Sequence, residues 1–216
     1  FEKKAESWHK HEGGTYLHFA AYLGDVEATK LLLEDNAEVN ALNNVKWTPL
    51  HLVARCGYVD IAKMLIRNGA AVNAACKNGL TPLHQVAVTG KYRMARTLIQ
   101  KGADVNAVDK RKRTALFIAV EYDKTDVAKF LIENGSNVNT ITDEKISALH
   151  IVIKRGHDDV MNMLLHNGAD INAANETVLN EAAMKGDVRC ILRLLCFGAR
   201  INKEAIRCDE TKLLGQ

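Results

Sequence analysis

Histidine is the residue type whose spacing first suggests chemistry in this chain. His18, His51 and His84 stand 33 residues apart, and His150 falls two steps further along the same lattice. A shared metal needs ligands converging to about 2 Å per bond, whereas equivalent points on successive packed helical units lie about 10 Å apart. The four are therefore read as structural, each hydrogen-bonded to backbone near a helix cap. His9, His11, His157 and His166 form no HExxH pattern and are read as solvated. No Gly-rich phosphate loop, GxSxG elbow or EF-hand loop occurs, and the carboxylate pairs Glu34/Asp35 and Asp158/Asp159 fall at helix ends or turns. The 5 cysteines (Cys56, Cys76, Cys190, Cys196, Cys208) are odd in number and lack a CxxC, so neither a zinc site nor a disulfide framework is expected and a reducing compartment is. Asn175-Glu176-Thr177 spells a glycosylation sequon, but at a helix start in such a compartment its use is not expected. The expectation is no enzyme, no metal, no cofactor and no small-molecule substrate.

Lys110-Arg111-Lys112-Arg113 is the sharpest charge run. It has three readings: a solvated loop tip, a contact for an acidic partner, or a nuclear-import or nucleic-acid signal. Asp143 and Glu144 stand 33 residues beyond Lys110 and Arg111, so the two segments are expected to attract each other, which favours the first reading. Across all 216 residues, 29 Lys and Arg meet 26 Asp and Glu for a net charge of +3, which leaves no global drive toward nucleic acid or anionic lipid. Mean hydropathy is −0.15, in the range of a folded soluble domain, and no run of about 18 apolar residues could span a bilayer. With 2 prolines and 6% aromatics, the core rests on Leu, Ile, Val and Ala, and helices are favoured over a sandwich. The chain opens on Phe1 rather than Met and is read as a segment of a longer protein.

The elements that carry these residues follow from an internal repeat. Thr/Ser-x-Leu starts at Thr15, Thr48, Thr81, Thr114 and Ser147, each 33 residues after the last, and once more at Thr177, 30 residues on. A turn residue follows nine positions later each time: Gly24, Gly57, Gly90, Asp123, Gly156 and Gly186. An Asn closes every unit: Asn40, Asn73, Asn106, Asn139, Asn172 and Asn202. Thr is a good N-cap, Pro suits the first helical position, and Gly takes the left-handed cap without a Cβ penalty. A short helix is thus predicted from each Thr to its Gly. Apolar residues at helical spacing, such as Ile61, Met64 and Leu65, predict a second helix over Val59–Arg67. The stretch from each Asn to the next Thr is left to form an extended finger.

These features resemble ankyrin repeats, whose TPLH signature stands in full at Thr48-Pro49-Leu50-His51 and Thr81-Pro82-Leu83-His84. The resemblance covers roughly residues 10 to 202. It implies an all-α fold, an ankyrin-repeat solenoid of stacked helix-turn-helix units with β-hairpin fingers. The units run about 10–40, 41–73, 74–106, 107–139, 140–172 and 173–202. Residues 203–216 form either a C-terminal cap helix or the start of a seventh repeat. Six layers would make a curved rod of roughly 50–60 Å. Two departures stand out. Repeat five carries Ile151-Val152-Ile153 in its short helix, where β-branching lowers helix propensity, and is expected to be the softest interior region. Lys46 stands where such a finger usually has Gly, which leaves its turn geometry open.

In resembling proteins the partner-touching positions are the finger tips and the two residues before the first-helix Gly. On this lattice they include Tyr22, Trp47, Arg55, Leu80, Lys110, Arg111, Arg113, Tyr122, Ile146, Lys154 and Arg155. Tyr, Trp and Arg dominate binding hot spots; Trp47 has a second reading, packing along its own finger. The resemblance implies a non-catalytic scaffold that binds a protein or peptide on its concave face. Nucleic acid is not the expected partner, and the protein is expected to be monomeric and cytoplasmic, with the nucleus as the alternative location. The other class is the regulatory or targeting domain of a larger enzyme, channel, toxin or bacterial effector.

Overall fold

Thr15, Thr48, Thr81, Thr114 and Ser147 each cap a helix, and in every one of these units but that of Thr114, where Phe117 stands, a lattice histidine completes the cap. In a computed structural model, which describes residues 13–172 and 178–200, capping boxes form at Thr15, Thr48, Thr81 and Ser147 with the histidine three residues on. Twelve helices follow in pairs among the described residues: α1 (Tyr16–Leu23), α2 (Val26–Glu34), α3 (Pro49–Cys56), α4 (Val59–Arg67), α5 (Pro82–Thr89), α6 (Tyr92–Gln100), α7 (Ala115–Glu121), α8 (Thr125–Glu133), α9 (Ala148–Arg155), α10 (Asp158–His166), α11 (Val178–Lys185) and α12 (Val188–Cys196). The odd-numbered helices pack on one another as an inner row, and α2, α4, α6, α8 and α10 pack as an outer row. The inner row packs more closely than the outer row. One Leu per unit, Leu17, Leu50, Leu83, Leu116, Leu149 and Leu179, is buried in the inner row, and Leu65, Leu98, Leu131, Leu164 and Leu194 are buried from the outer row. A single apolar core therefore runs the length of the stack, as a repeat array requires when no unit can hide its own stripe.

Three polar devices tie neighbouring units together. Thr48 N–H donates to His51 Nδ1 at 3.1 Å, which leaves the ring proton on Nε2, 3.0 Å from the Leu80 carbonyl of the next finger. His18 reaches the Trp47 carbonyl at 2.9 Å and His84 the Arg113 carbonyl at 3.1 Å in the same way. Asparagine supplies the second device. Asn40 donates to the Gly69 carbonyl at 2.9 Å and accepts from Ala71 N–H at 2.8 Å, and Asn73, Asn106, Asn139 and Asn172 repeat the pair one unit on.

The fingers are the third device. Each tip closes by two main-chain bonds: Asn43, Cys76, Asp109 and Thr142 N–H donate to the Trp47, Leu80, Arg113 and Ile146 carbonyls at 3.0 Å, and Lys46, Gly79, Lys112 and Lys145 N–H donate back to the Asn43, Cys76, Asp109 and Thr142 carbonyls at 2.9–3.0 Å. Strand pairing among the described residues is limited to single bridges, Val108 with Thr114 and Ile141 with Ser147, so the fingers are hairpins with almost no sheet. Lys46 keeps the usual turn: its φ of 60° matches Lys112 at 59°, Lys145 at 61° and Gly79 at 81° in the equivalent positions. Three lysines thus accept a left-handed conformation that costs a non-glycine residue roughly 1–2 kcal/mol. Asp123, with φ of 58°, holds the helix-ending turn where other units use Gly.

Burial holds these histidines neutral. It lowers His18 and His84 from their ordinary range and takes His51 from 6.5 to about 4, against the opposing pull of the carbonyl acceptors. A folded-state value below the unfolded one means that the unfolded chain binds the proton first. The stability contributed by neutral His51 is present above pH 6.5 and is lost as pH falls toward about 4. At 1.36 kcal/mol per unit that amounts to about 3 kcal/mol from this ring, with His18 and His84 adding in the same direction. Thermal melts across this window should show a falling Tm, and a Tm that stays level down to pH 4 would contradict burial of the neutral rings.

Candidate concave interface

The inner-row helix ends and finger tips form a surface on which the candidate residues fall into two clusters. In the first, the half-buried Trp47 ring stacks on His51 with centroids 6.0 Å apart at 20°, and the Arg55 guanidinium lies 5.6 Å from its centroid. The Trp47 ring is thus engaged by the following helix within its own unit, and the Arg55 side chain over it is exposed. Tyr22 is 49% exposed on the preceding helix end, and its carbonyl faces the Cys56 thiol at 3.9 Å. Burial pushes that thiol upward from its ordinary value, which disfavours a reactive thiolate.

The second cluster is built on Glu121. Arg113 donates to the Glu121 carboxylate at 2.9 Å and to Asp109 through Nε at 2.9 Å. Its side chain is only 18% exposed and is committed inside the chain. Arg155 reaches across from α9 and donates to the Glu121 carbonyl. Tyr122, 49% exposed, stands next to this knot. Lys154 is exposed one position away.

The basic finger tip is solvated and partly neutralised. Arg111 pairs with Glu144 and Lys112 with Asp143, the latter at 3.1 Å, as the charges on the two tips imply. Lys110 is exposed, and its backbone N–H bonds to the Asn78 carbonyl at 3.0 Å. Leu80 and Ile146 are half-buried; Leu80 packs against the core while its carbonyl receives His51.

Asp109 is the residue that spacing did not single out. It is 5% exposed, and its Oδ1 accepts the N–H groups of Arg111 at 2.9 Å and Arg113 at 2.8 Å. The signal was available: Asn43 does the same for Val45 and Trp47 two lattice steps earlier, and Thr142 for Ile146 one step later. Among the described residues no group of three His, Cys, Asp or Glu is placed to hold a metal ion, and no helix is long and apolar enough to cross a membrane. His9, His11, the sequon at Asn175, Asn202 and the segment 203–216 lie outside the described residues.

No curated protein sequence matches this chain. Among solved structures, the chain is similar to the ankyrin repeat domain of Bcl-3, which its title calls a unique member of the IkappaB protein family. The two superpose with a TM-score of 0.78 at 25% identity over 88% of each chain. The family model for ankyrin repeats matches three times, over residues 2–76, 68–142 and 137–205. Those matches span residues 2–205 and cover every repeat unit, and the chain belongs to the ankyrin-repeat family.

Proposed function

We propose that this protein is a non-catalytic interaction scaffold that binds a partner protein or peptide along its concave face. The observation that carries the reading is the Trp47–Arg55 stack beside exposed Tyr22, held on helices whose caps and core are fully bonded. Aromatic and guanidinium groups on a rigid row lose little conformational entropy on association, so their desolvation energy goes into affinity. Tyr122, Lys154 and Arg155 form the second contact, and Lys110 and Arg111 the rim. Arg113, Leu80 and Ile146 support this surface from beneath. The repeat units of about 33 residues are the binding modules, and the cytoplasm, or else the nucleus, is the proposed location.

A partner recovered by pull-down should lose at least about tenfold in affinity when Trp47, Tyr122 and Arg155 are replaced together by Ala, with far-ultraviolet circular dichroism unchanged. A change within about threefold, below roughly 1 kcal/mol, would remove the concave face from the proposal. A second reading, a regulatory or targeting domain within a larger protein, is favoured by the Bcl-3 structure, whose title describes a domain. The complete open reading frame decides it.

A further inference from the structure

The charge on this protein is not spread evenly along the stack. Between residues 61 and 103 there are seven Lys and Arg and no Asp or Glu. All seven are exposed, and none enters an ion pair among the described residues. The break in pattern is local to α6. The first turns of α2, α4, α8 and α10 carry Glu27, Asp60, Asp126 and Asp158/Asp159, which suit the positive end of a helix. In α6 the equivalent position is Arg93, and no acid stands in the first turn; its N-cap Lys91 matches Lys124 at the N-cap of α8. Only α12 also lacks an acid there, and Asp187 caps it instead. The Lys91 stem packs on the preceding turn as Lys124 does over Gly90, but Arg93 is a cation at the wrong end of a dipole and opposes folding, so something other than folding accounts for it.

These cations line a groove. A cleft of about 590 Å³ runs along the helix-turn end of the stack, opposite the fingers, past Gly24, Gly57 and Gly90. Its walls include Lys63, Lys91, Arg93, Tyr58, Tyr92 and one carboxylate, Asp60. The Tyr58 ring lies so close over Gly24 that a Cβ there would sit 2.6 Å from it, and the Lys91 stem crosses Gly57 in the same register, with a Cβ 3.0 Å away. Tyr92 is held edge-on against Phe130, centroids 5.0 Å apart, and stays 43% exposed. Spanning two repeat steps, the groove is roughly 20 Å long, the reach of about six residues of extended chain.

We propose that this groove, with the outer faces of α4 and α6, docks an acidic segment of a partner protein, a stretch rich in Asp and Glu with aromatic side chains between them. Carboxylates meet Lys63, Lys91, Arg93 and Arg96, which have no internal counter-charge. Rings lie against Tyr58 and Tyr92. Asp60 decides between polyanions: a peptide can turn a backbone N–H toward that carboxylate, while a phosphodiester chain or an anionic bilayer would present like charge to it. The site is on the opposite end of the repeats from the finger tips and does not depend on the concave reading.

Arg93→Glu is the decisive variant, because it restores the acid that neighbouring outer helices carry. Binding of a short fluorescent peptide alternating Glu and Tyr is followed by anisotropy at low and physiological salt, beside thermal melts. The intact protein should bind the peptide with an affinity that falls with salt. Arg93→Glu should weaken it at least about tenfold while Tm holds or rises, and Lys63→Glu should act likewise. The Trp47→Ala control should bind as tightly as the parent. Failure of the peptide to saturate the intact protein, or binding unchanged in both charge variants, overturns the proposal. So does tighter, Arg93-dependent binding of a DNA duplex or of phosphatidylserine vesicles.

Discussion

Asp109→Ala is expected to destabilise the protein by about 3–5 kcal/mol, the usual cost of removing one partner from a buried charge pair. The carboxylate is 2% exposed, bonds two backbone N–H groups of its own finger and grips Arg113 through Nε and a terminal nitrogen, each at 2.9 Å. Without it the two amides lose their acceptor, and a guanidinium only 18% exposed keeps Glu121 alone as a counter-charge. Asp109→Asn should cost much less, because its amide oxygen can still receive the finger amides. Chemical denaturation of both variants checks this. Equal losses would mean that the ion pair, not the backbone cap, carries the energy. A loss below about 1 kcal/mol in Asp109→Ala would contradict the whole assignment.

His51→Ala is the second large effect, expected at about 3 kcal/mol or more. It leaves the Thr48 N–H and the Leu80 carbonyl without their ring partners, at about 1–3 kcal/mol each, and opens a void the size of an imidazole. Both groups sit at one junction, between the second and third units. In a linear stack, stability is a sum over units and junctions, so weakening one junction should split a single unfolding transition into two. Circular dichroism reads all helices, whereas fluorescence of Trp47 in a Trp8→Phe background reads this junction, where the indole stacks on the lost ring. The two probes should separate in urea for the variant and coincide for the parent. The acid-linked fall in Tm should also become shallower. Coincident transitions with an unchanged acid slope would show that His51 contributes no more than volume.

The period of the chain made the helices legible because each unit must solve the same problem with the same residues. Thr or Ser before a Leu, and Gly nine positions on, are local rules of capping, and the structure follows them even where Asp123 replaces the glycine. The histidines were legible for the same reason, since an acceptor three residues past the cap has few other uses. What spacing could not show is which exposed-looking residues are already engaged. Arg113 reads as a finger-tip cation, yet its exposure is set by Asp109 across the hairpin and Glu121 on the next helix. Nor does a recurring Asn declare its partners, because its two bonds reach into the following unit, 29 and 31 residues away, where only the stacked geometry brings them. The charge reversal at Arg93 was in plain sight, but it becomes a signal only when the outer helices are aligned as a row.

The last asparagine bridge has a consequence for chain length. Asn172 grips Gly198 and Arg200 across 26 and 28 residues, while its counterparts span 29 and 31. The three missing residues fall between fixed attachment points, and the attachment survives. At this junction linker size is therefore uncoupled from the attachment, and foreign peptide spliced in after Asn172 should be carried as cargo without shifting the layers it separates.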